Sequence, residues 1–320
     1  MSAAVDVFAG LEGPVTITDT TLRDGLQSLP ETHPLATKLA ILDAIATAGL
    51  RSIEITSFMR PDRVPQLADA ETLMAEARAR HGDQLELRGL VANRRGLGRA
   101  IAARVDVAVV LMTLSDAYAR RNQGMDSAEN LRIAVDLVEA AADQGTDVDI
   151  AYSMPLFCPY EGPIAATRLQ AATARLVAAG ARNFTLCTST GLENPREVCA
   201  ALTLIRAEGA EEIALHLHDT NGMGLAVALA GLLSGVRRFE TALGGVGGGI
   251  ALPSGMPGHG NLPTEDLAHM LAEIGLGDDA AAVVAAAETV SELLGRPALG
   301  RAAQGATKAA ILATTQQEIN

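Results

Sequence analysis

Eight short β-rich runs, separated by Ala- and Leu-rich helical stretches, constrain the fold of this 320-residue chain more than any other feature. The runs fall at residues 15–19, 52–56, 85–90, 105–111, 148–152, 183–187, 213–218 and 238–242, with helical patterns such as 35–48, 128–144, 166–179 and 195–208 between them. Gly49, Gly145 and Gly180 each follow a helical run and precede a strand, where a helix C-cap is expected. Such alternation gives an α/β fold, either closed into a (β/α)8 barrel or left open and doubly wound. Eight strands over about 230 residues match the barrel. So do the polar clusters: Arg23-Asp24, Glu54, His216-x-His218 and the glycine-rich run 244–249 all sit at or just after a strand's C-terminal end. A barrel gathers those positions on one rim, whereas an open sheet scatters several of them. The expected fold is therefore a TIM barrel over about residues 14–262. Helical segments at 264–274 and 280–294 cap it within a C-terminal stretch of 263–320, the whole chain 1–320 forming one domain.

Composition narrows the function. Hydrophobic residues make up 48% of the chain, enough for a large core, but there is no Trp and only three Tyr and five Phe. A base-stacking platform for nucleic acid is excluded on that ground, and the net charge of −13 argues the same way. Cys158, Cys187 and Cys199 form neither a CxxC metal pattern nor a disulfide framework. Apolar runs are broken by charge before about 18 residues, so no membrane span is expected. Asp6 and Glu12 in the first residues do not fit a signal peptide. The expectation is a soluble cytoplasmic protein with no nucleic-acid or membrane partner, acting on a small molecule and compatible with a homo-oligomer.

His216-Leu217-His218 carries the first chemical signal. Alternate residues of a strand point the same way, so both imidazoles face one side. A closed barrel brings Asp24, after the first strand, beside them. One carboxylate and two imidazoles suit a divalent ion, Mg²⁺ or Mn²⁺ first, with Zn²⁺ left open.

The segment Asp19-Thr20-Thr21-Leu22-Arg23-Asp24-Gly25-Leu26-Gln27-Ser28 resembles the signature of the metal-dependent barrel lyases and synthases that include isopropylmalate synthase and 3-hydroxy-3-methylglutaryl-CoA (HMG-CoA) lyase. Ile53-Glu54-x-Thr56-Ser57-Phe58, Cys158-Pro159-Tyr160-Glu161-Gly162, His216-x-His218-Asp219-Thr220-x-Gly222 and Gly260-Asn261-Leu262-x-Thr264-Glu265-Asp266 follow in lyase order. The resemblance implies a metal held by Asp24, His216, His218 and Asn261. It implies that Arg23 neutralises an enolate or thioester carbonyl, that Glu54 orients ligands or a proton carrier, and that Glu265 supports the Asn261 loop. The implied reaction is carbon–carbon cleavage of a 3-hydroxyacyl-CoA to acetyl-CoA and a keto acid. The alternative is an aldolase or Claisen-type synthase acting on a 2-oxo acid. Arg120, Arg121 and Asn122 match the basic patch of the lyases and are expected to bind the acyl-CoA; Arg60 and Arg63 follow the second strand, and Arg94-Arg95 after the third offers a rival patch.

Two departures concern the proton relay. HMG-CoA lyases end the glycine-rich loop with a catalytic cysteine, whereas this chain reads Gly245-Val246-Gly247-Gly248-Gly249. Where lyases have Gly-Asp-Thr-x-Gly, it reads Cys187-Thr188-Ser189-Thr190-Gly191, with Cys187 expected to be a buried strand residue. Glycine cannot move a proton. His259, on the loop before Asn261, is the expected replacement, with metal-bound water and Tyr160 as alternatives.

Overall fold

A computed structural model describes residues 7, 8, 10–249, 252, 253, 256, 260–305, 308, 311, 312, 314 and 315. Eight parallel strands close into a barrel: β1 (Thr16–Asp19), β2 (Ser52–Ser57), β3 (Glu86–Val91), β4 (Val107–Thr113), β5 (Asp147–Ser153), β8 (Asn183–Thr188), β9 (Glu212–Leu217) and β10 (Arg238–Thr241). Two short strands, β6 (Phe157–Cys158) and β7 (Gly162–Pro163), form a separate antiparallel hairpin after β5. Pairing of β1 with both β10 and β2 closes the ring. Each expected strand is present to within two residues at either end. Gly49, Gly145 and Gly180 all adopt positive φ, as C-caps require.

Helices α1 (Leu35–Thr47), α2 (Ala70–His81), α3 (Arg94–Ala102), α4 (Asp116–Asn122), α5 (Ser127–Ala142), α6 (Ala166–Ala178), α7 (Pro195–Ala207) and α8 (Gly224–Leu233) connect successive strands. After β10, α9 (Thr264–Glu273) packs beside α8, and α10 (Ala281–Leu294) lies across α9 and α1. Asn93, Ser115 and Asp126 cap α3, α4 and α5 through side-chain oxygens, and Asn194 with Glu197 forms a capping box on α7. The main apolar core lies between the outer strand faces and the helices. Among the described residues no helix is long and apolar enough to cross a membrane.

The inward-facing side chains divide into two halves. Leu90, Val109, Ala151 and Cys187 make a small apolar cluster on β3, β4, β5 and β8. Much of the remainder is polar or charged. Arg88 pairs with Asp149 and lies 3.7 Å from Glu240, and the Thr185 hydroxyl donates to Asp149 at 3.1 Å. Toward the strands' N-terminal ends, Glu86 accepts from Ser52 and Arg238, each at 2.7 Å. Filling this barrel with charge requires every member to be matched, since an unpaired buried ion costs several kcal/mol.

Two buried carboxylates hold the rim loops. Asp19, at the end of β1, accepts from the Thr21 amide (2.9 Å), the Leu243 amide (3.2 Å) and the Thr264 hydroxyl (3.1 Å). It thereby joins the first turn, the glycine-rich loop and the start of α9. Glu265 accepts from the Gly244 amide at 3.0 Å, so its support reaches the glycine loop. Gly300 lies so close to the Glu265 carboxyl that any side chain there would overlap it. Burial pushes the Asp19 carboxyl up to about 6 and that of Glu265 up to about 7, against the hydrogen bonds that oppose the rise.

A carboxyl raised in the fold favours its neutral form. The stability it contributes is complete below the unfolded value of 4.5 and is lost as pH rises through about 7. Glu265→Gln fixes the neutral state. Urea denaturation is expected to show the variant gaining on the parent by on the order of 3 kcal/mol between about pH 4 and about pH 8. A difference that does not change with pH contradicts this reading of Glu265.

Candidate active site

The chain leaves β1 through a π-helical turn, Thr21–Gly25, whose five residues are all buried. Such wide turns recur at functional sites because they re-aim consecutive side chains. Here the turn points Arg23 and Asp24 into the mouth of the barrel. Arg23 bridges two carboxylates, with Nη1 at 2.6 Å from Asp24 Oδ1 and Nη2 at 2.6 Å from Glu54 Oε2. Glu54 lies at a register shift between β2 and β3, a bulge of the kind that turns a side chain toward a site.

His216 and His218 converge on the same point, with their Nε2 atoms 3.2 Å apart. On the far side of its ring, His216 Nδ1 lies 3.1 Å from Glu240 Oε2. With the proton on Nδ1 and shared with Glu240, Nε2 presents its lone pair to the site, the arrangement typical of a metal-ligating histidine. Thr188 stands where lyases carry aspartate, and its hydroxyl accepts the His218 amide at 3.0 Å. Asn261 pairs with His218 through an isolated backbone bridge, and its Nδ2 donates to Asp24 Oδ2 and to Val246 O, both at 2.9 Å.

Electrostatics keep the donors ready. Burial works against a charge on Asp24, yet the Arg23 guanidinium, aided by the Asn261 hydrogen bond, holds its carboxyl well below the ordinary range. Burial likewise opposes charge on Glu240, but the His216 hydrogen bond and the Arg88 guanidinium hold it low. Cys187, beside His216 across the β8–β9 ladder, has its thiol pushed well up by burial and acts as a packed strand residue.

The donor set tests well against a divalent ion. Ligand atoms of Asp24, His216 and His218 all lie within 4.8 Å of one another. The Asn261 Oδ1 oxygen is buried without a hydrogen-bond partner. A carboxylate, two imidazole lone pairs and an amide oxygen lacking a donor form a set that a cation satisfies. Six of the expected residues thus meet at one point: Arg23, Asp24, Glu54, His216, His218 and Asn261. Arg120, Arg121 and Asn122 lie elsewhere on the rim, lining a 490 Å³ cleft together with Arg60 and Arg63. The Arg121 guanidinium stacks 4.2 Å over the Tyr160 ring. His259 lies outside the described residues.

Sequence reasoning overlooked Glu240, Arg88 and Asp19. Only the inward parity of their strands could have signalled the first two. The glycine loop also has a stricter role than its composition suggests. Gly247 has a φ of +145°, and a side chain on it would overlap the Asn261 amide and come within 3.0 Å of Asp24 Oδ2. Only glycine lets the loop close over those two residues.

Residues 14–291 match the HMGL-like family model. The chain belongs to the HMGL-like family. It is 33% identical to the (R)-citramalyl-CoA lyase of Chloroflexus aurantiacus, over 88% of this chain and 92% of that protein. A hydroxymethylglutaryl-CoA lyase of Bacillus subtilis is 31% identical over 88% of this chain and 94% of its own length. Among solved structures, an HMG-CoA lyase from Acinetobacter baumannii in complex with coenzyme A and 3-methylmalate superposes with a TM-score of 0.84. It is 29% identical and covers 92% of this chain and 96% of that one. Membership of the HMGL-like family accounts for the fold and for the order of the matched segments.

Gly247→Ala tests how tightly the loop governs the centre. Because the methyl group displaces Asn261 from Asp24, calorimetric titration is expected to show Mn²⁺ affinity at least tenfold weaker. This is the scale of losing a group that orients a ligand. Unchanged affinity in a folded variant would remove Asn261 and the loop from the metal site.

Proposed function

We propose that this protein is a divalent-metal-dependent carbon–carbon lyase, cleaving HMG-CoA or a close 3-hydroxyacyl-CoA analogue to acetyl-CoA and a keto acid. The observation that carries the reading is the convergence of Asp24, His216, His218 and the unpartnered Asn261 oxygen beside a buried arginine. The activities named for the Chloroflexus and Bacillus relatives agree with it. A Mg²⁺ or Mn²⁺ ion held by those four residues would supply a Lewis acid for the substrate's oxygens.

The protein's own residues account for the rest. Cleavage places negative charge on the thioester as an enolate, and Arg23 is built to meet it. Its guanidinium cannot lose its proton, and it is pinned by Asp24 and Glu54. Its Nε donor is buried with no partner. A preorganised donor of this kind strengthens as charge develops and needs no reorganisation at that moment. Glu54 fixes the direction of the guanidinium. Glu240 sets the His216 tautomer and ring orientation. The cleft lined by Arg60, Arg63, Arg120, Arg121 and Asn122 offers cationic side chains to the phosphates of the coenzyme A arm, with Arg60 already paired to Asp62 at 2.6 Å.

The test is a panel of 3-hydroxyacyl-CoA thioesters and free 2-oxo acids, read out as acetyl-CoA release with and without EDTA. We expect thioester cleavage that EDTA abolishes and Mn²⁺ restores. Turnover of 2-oxo acids alone would instead establish an aldolase or synthase. Arg23→Met is expected to lower kcat by about 10²–10³, the scale of losing one oxyanion donor, with little change in KM. A rise in KM alone would make Arg23 a binding residue.

A further inference from the structure

The geometry points to an alkyl-selecting wall beside the metal donors, formed by Met59, Leu90, Leu111 and Cys187, that receives the fourth substituent of the substrate's carbinol carbon. The inference rests on the lyase reading above and narrows its substrate class. A 3-hydroxyacyl-CoA that splits into acetyl-CoA and a keto acid carries four groups on that carbon. They are the hydroxyl, the arm to the thioester, the carboxyl or its arm, and one more that leaves with the keto acid. Bond breaking itself places no demand on this last group. The wall makes it a methyl or larger alkyl group rather than hydrogen or a polar group.

Strand parity turns these side chains into the barrel. On β4, Val109 and Leu111 alternate with Val110 and Met112 of the outer core. Ala151 on β5 and Cys187 on β8 likewise precede and follow the core residues Tyr152 and Leu186. Leu90 pairs with Val109 on the β3–β4 ladder and Leu111 with Ala151 on the β4–β5 ladder, so the apolar surface runs across four strands. It reaches the metal donors at Cys187, the ladder partner of His216, whose thiol feels the charges of Arg23, Glu54 and Asp24. At its other edge Met59 packs against the same cluster and also lines the cleft of Arg60, Arg63, Arg120 and Arg121. The wall thus lies between the proposed coenzyme A cleft and the metal donors, where the acyl carbons belong.

The surface is also open to a ligand. Leu90, Val109, Ala151 and Cys187 are buried, whereas Met59 and Leu111 above them are only half-buried. Two apolar side chains resting on a buried apolar base therefore face the mouth. A carboxylate or hydroxyl set against them would lose its water and gain no partner. An alkyl group gains there by burial. The substrate's hydroxyl and thioester oxygens find their partners instead in Arg23 and the donors Asp24, His216 and His218.

The experiment uses three thioesters that differ only in the fourth substituent: hydrogen, methyl or a straight butyl chain. Each is given to the Mn²⁺-loaded parent, Leu111→Ala and Leu111→Val, and kcat/KM is read as acetyl-CoA release. The parent is expected to favour methyl over hydrogen at least about tenfold, the low end for one carbon in an apolar pocket. Leu111→Ala opens the wall, and its butyl-to-methyl ratio should exceed the parent's by at least about tenfold. Leu111→Val removes one methylene and should move that ratio the same way by a smaller factor, so the test stands even if the alanine variant does not fold. Ratios between substrates on one enzyme cancel any loss of folded or metal-loaded protein. A parent that cleaves the hydrogen and methyl substrates within threefold of each other overturns the proposal. So do variants that lower all three substrates by a common factor. A parent that cleaves none of the thioesters would sink the lyase reading itself, which is a separate result.

Discussion

The ion pairs that Arg23 makes with Asp24 and Glu54 are the interaction on which the rest of this molecule depends. They sit at the top of a column of charge inside the barrel that continues through His216, Glu240, Arg88 and Asp149. In most barrels of this kind branched apolar residues fill the interior. Here an ionic network runs through it, and each charge is tolerated because it meets one of opposite sign. Replacing one member leaves its partner buried and unmatched, which typically costs about 3–5 kcal/mol. The arrangement therefore gives little net stability, but it fixes where the imidazoles and carboxylates point.

That column reaches function through the loops anchored above it. Asp19 ties the π-helical turn, the glycine-rich loop and the first residue of α9 to one carboxyl group. Glu265 holds the start of the glycine loop. Between them, Gly247 lets the backbone descend onto Asp24 and Asn261. A shift in either latch would move Asn261 relative to the two histidines, so geometry at the candidate metal donors is set by contacts well outside their own strands. Both latches are carboxyls raised by burial, and they hold the loop against an electrostatic penalty at neutral pH.

Much of this was legible in the sequence because it follows local rules. Alternating β and helical runs gave the barrel, and the period of two in His216-x-His218 put both imidazoles on one side. Position at strand ends collected Arg23, Asp24 and Glu54 on one rim. The features that escaped depend on contacts between distant segments. Glu240 and Arg88 each read as an isolated charge in a strand, and only the closed ring makes them neighbours. Asp19 reads as the first letter of a motif, whereas its three hydrogen bonds come from residues up to 245 positions away. The assignment of Arg120, Arg121 and Asn122 to a basic rim was within reach of sequence. The cleft they share with Arg60 and Arg63 required the fold.

The central claim is that the two histidines and Asp24 bind one divalent ion at the mouth of the barrel. Pulsed electron paramagnetic resonance on the protein loaded with one equivalent of Mn²⁺ reads the nitrogen ligands directly. This account predicts nitrogen modulation from two bound imidazoles, reduced to one in His218→Gln. A Mn²⁺ spectrum with oxygen ligands alone, the same in parent and variant, would contradict it.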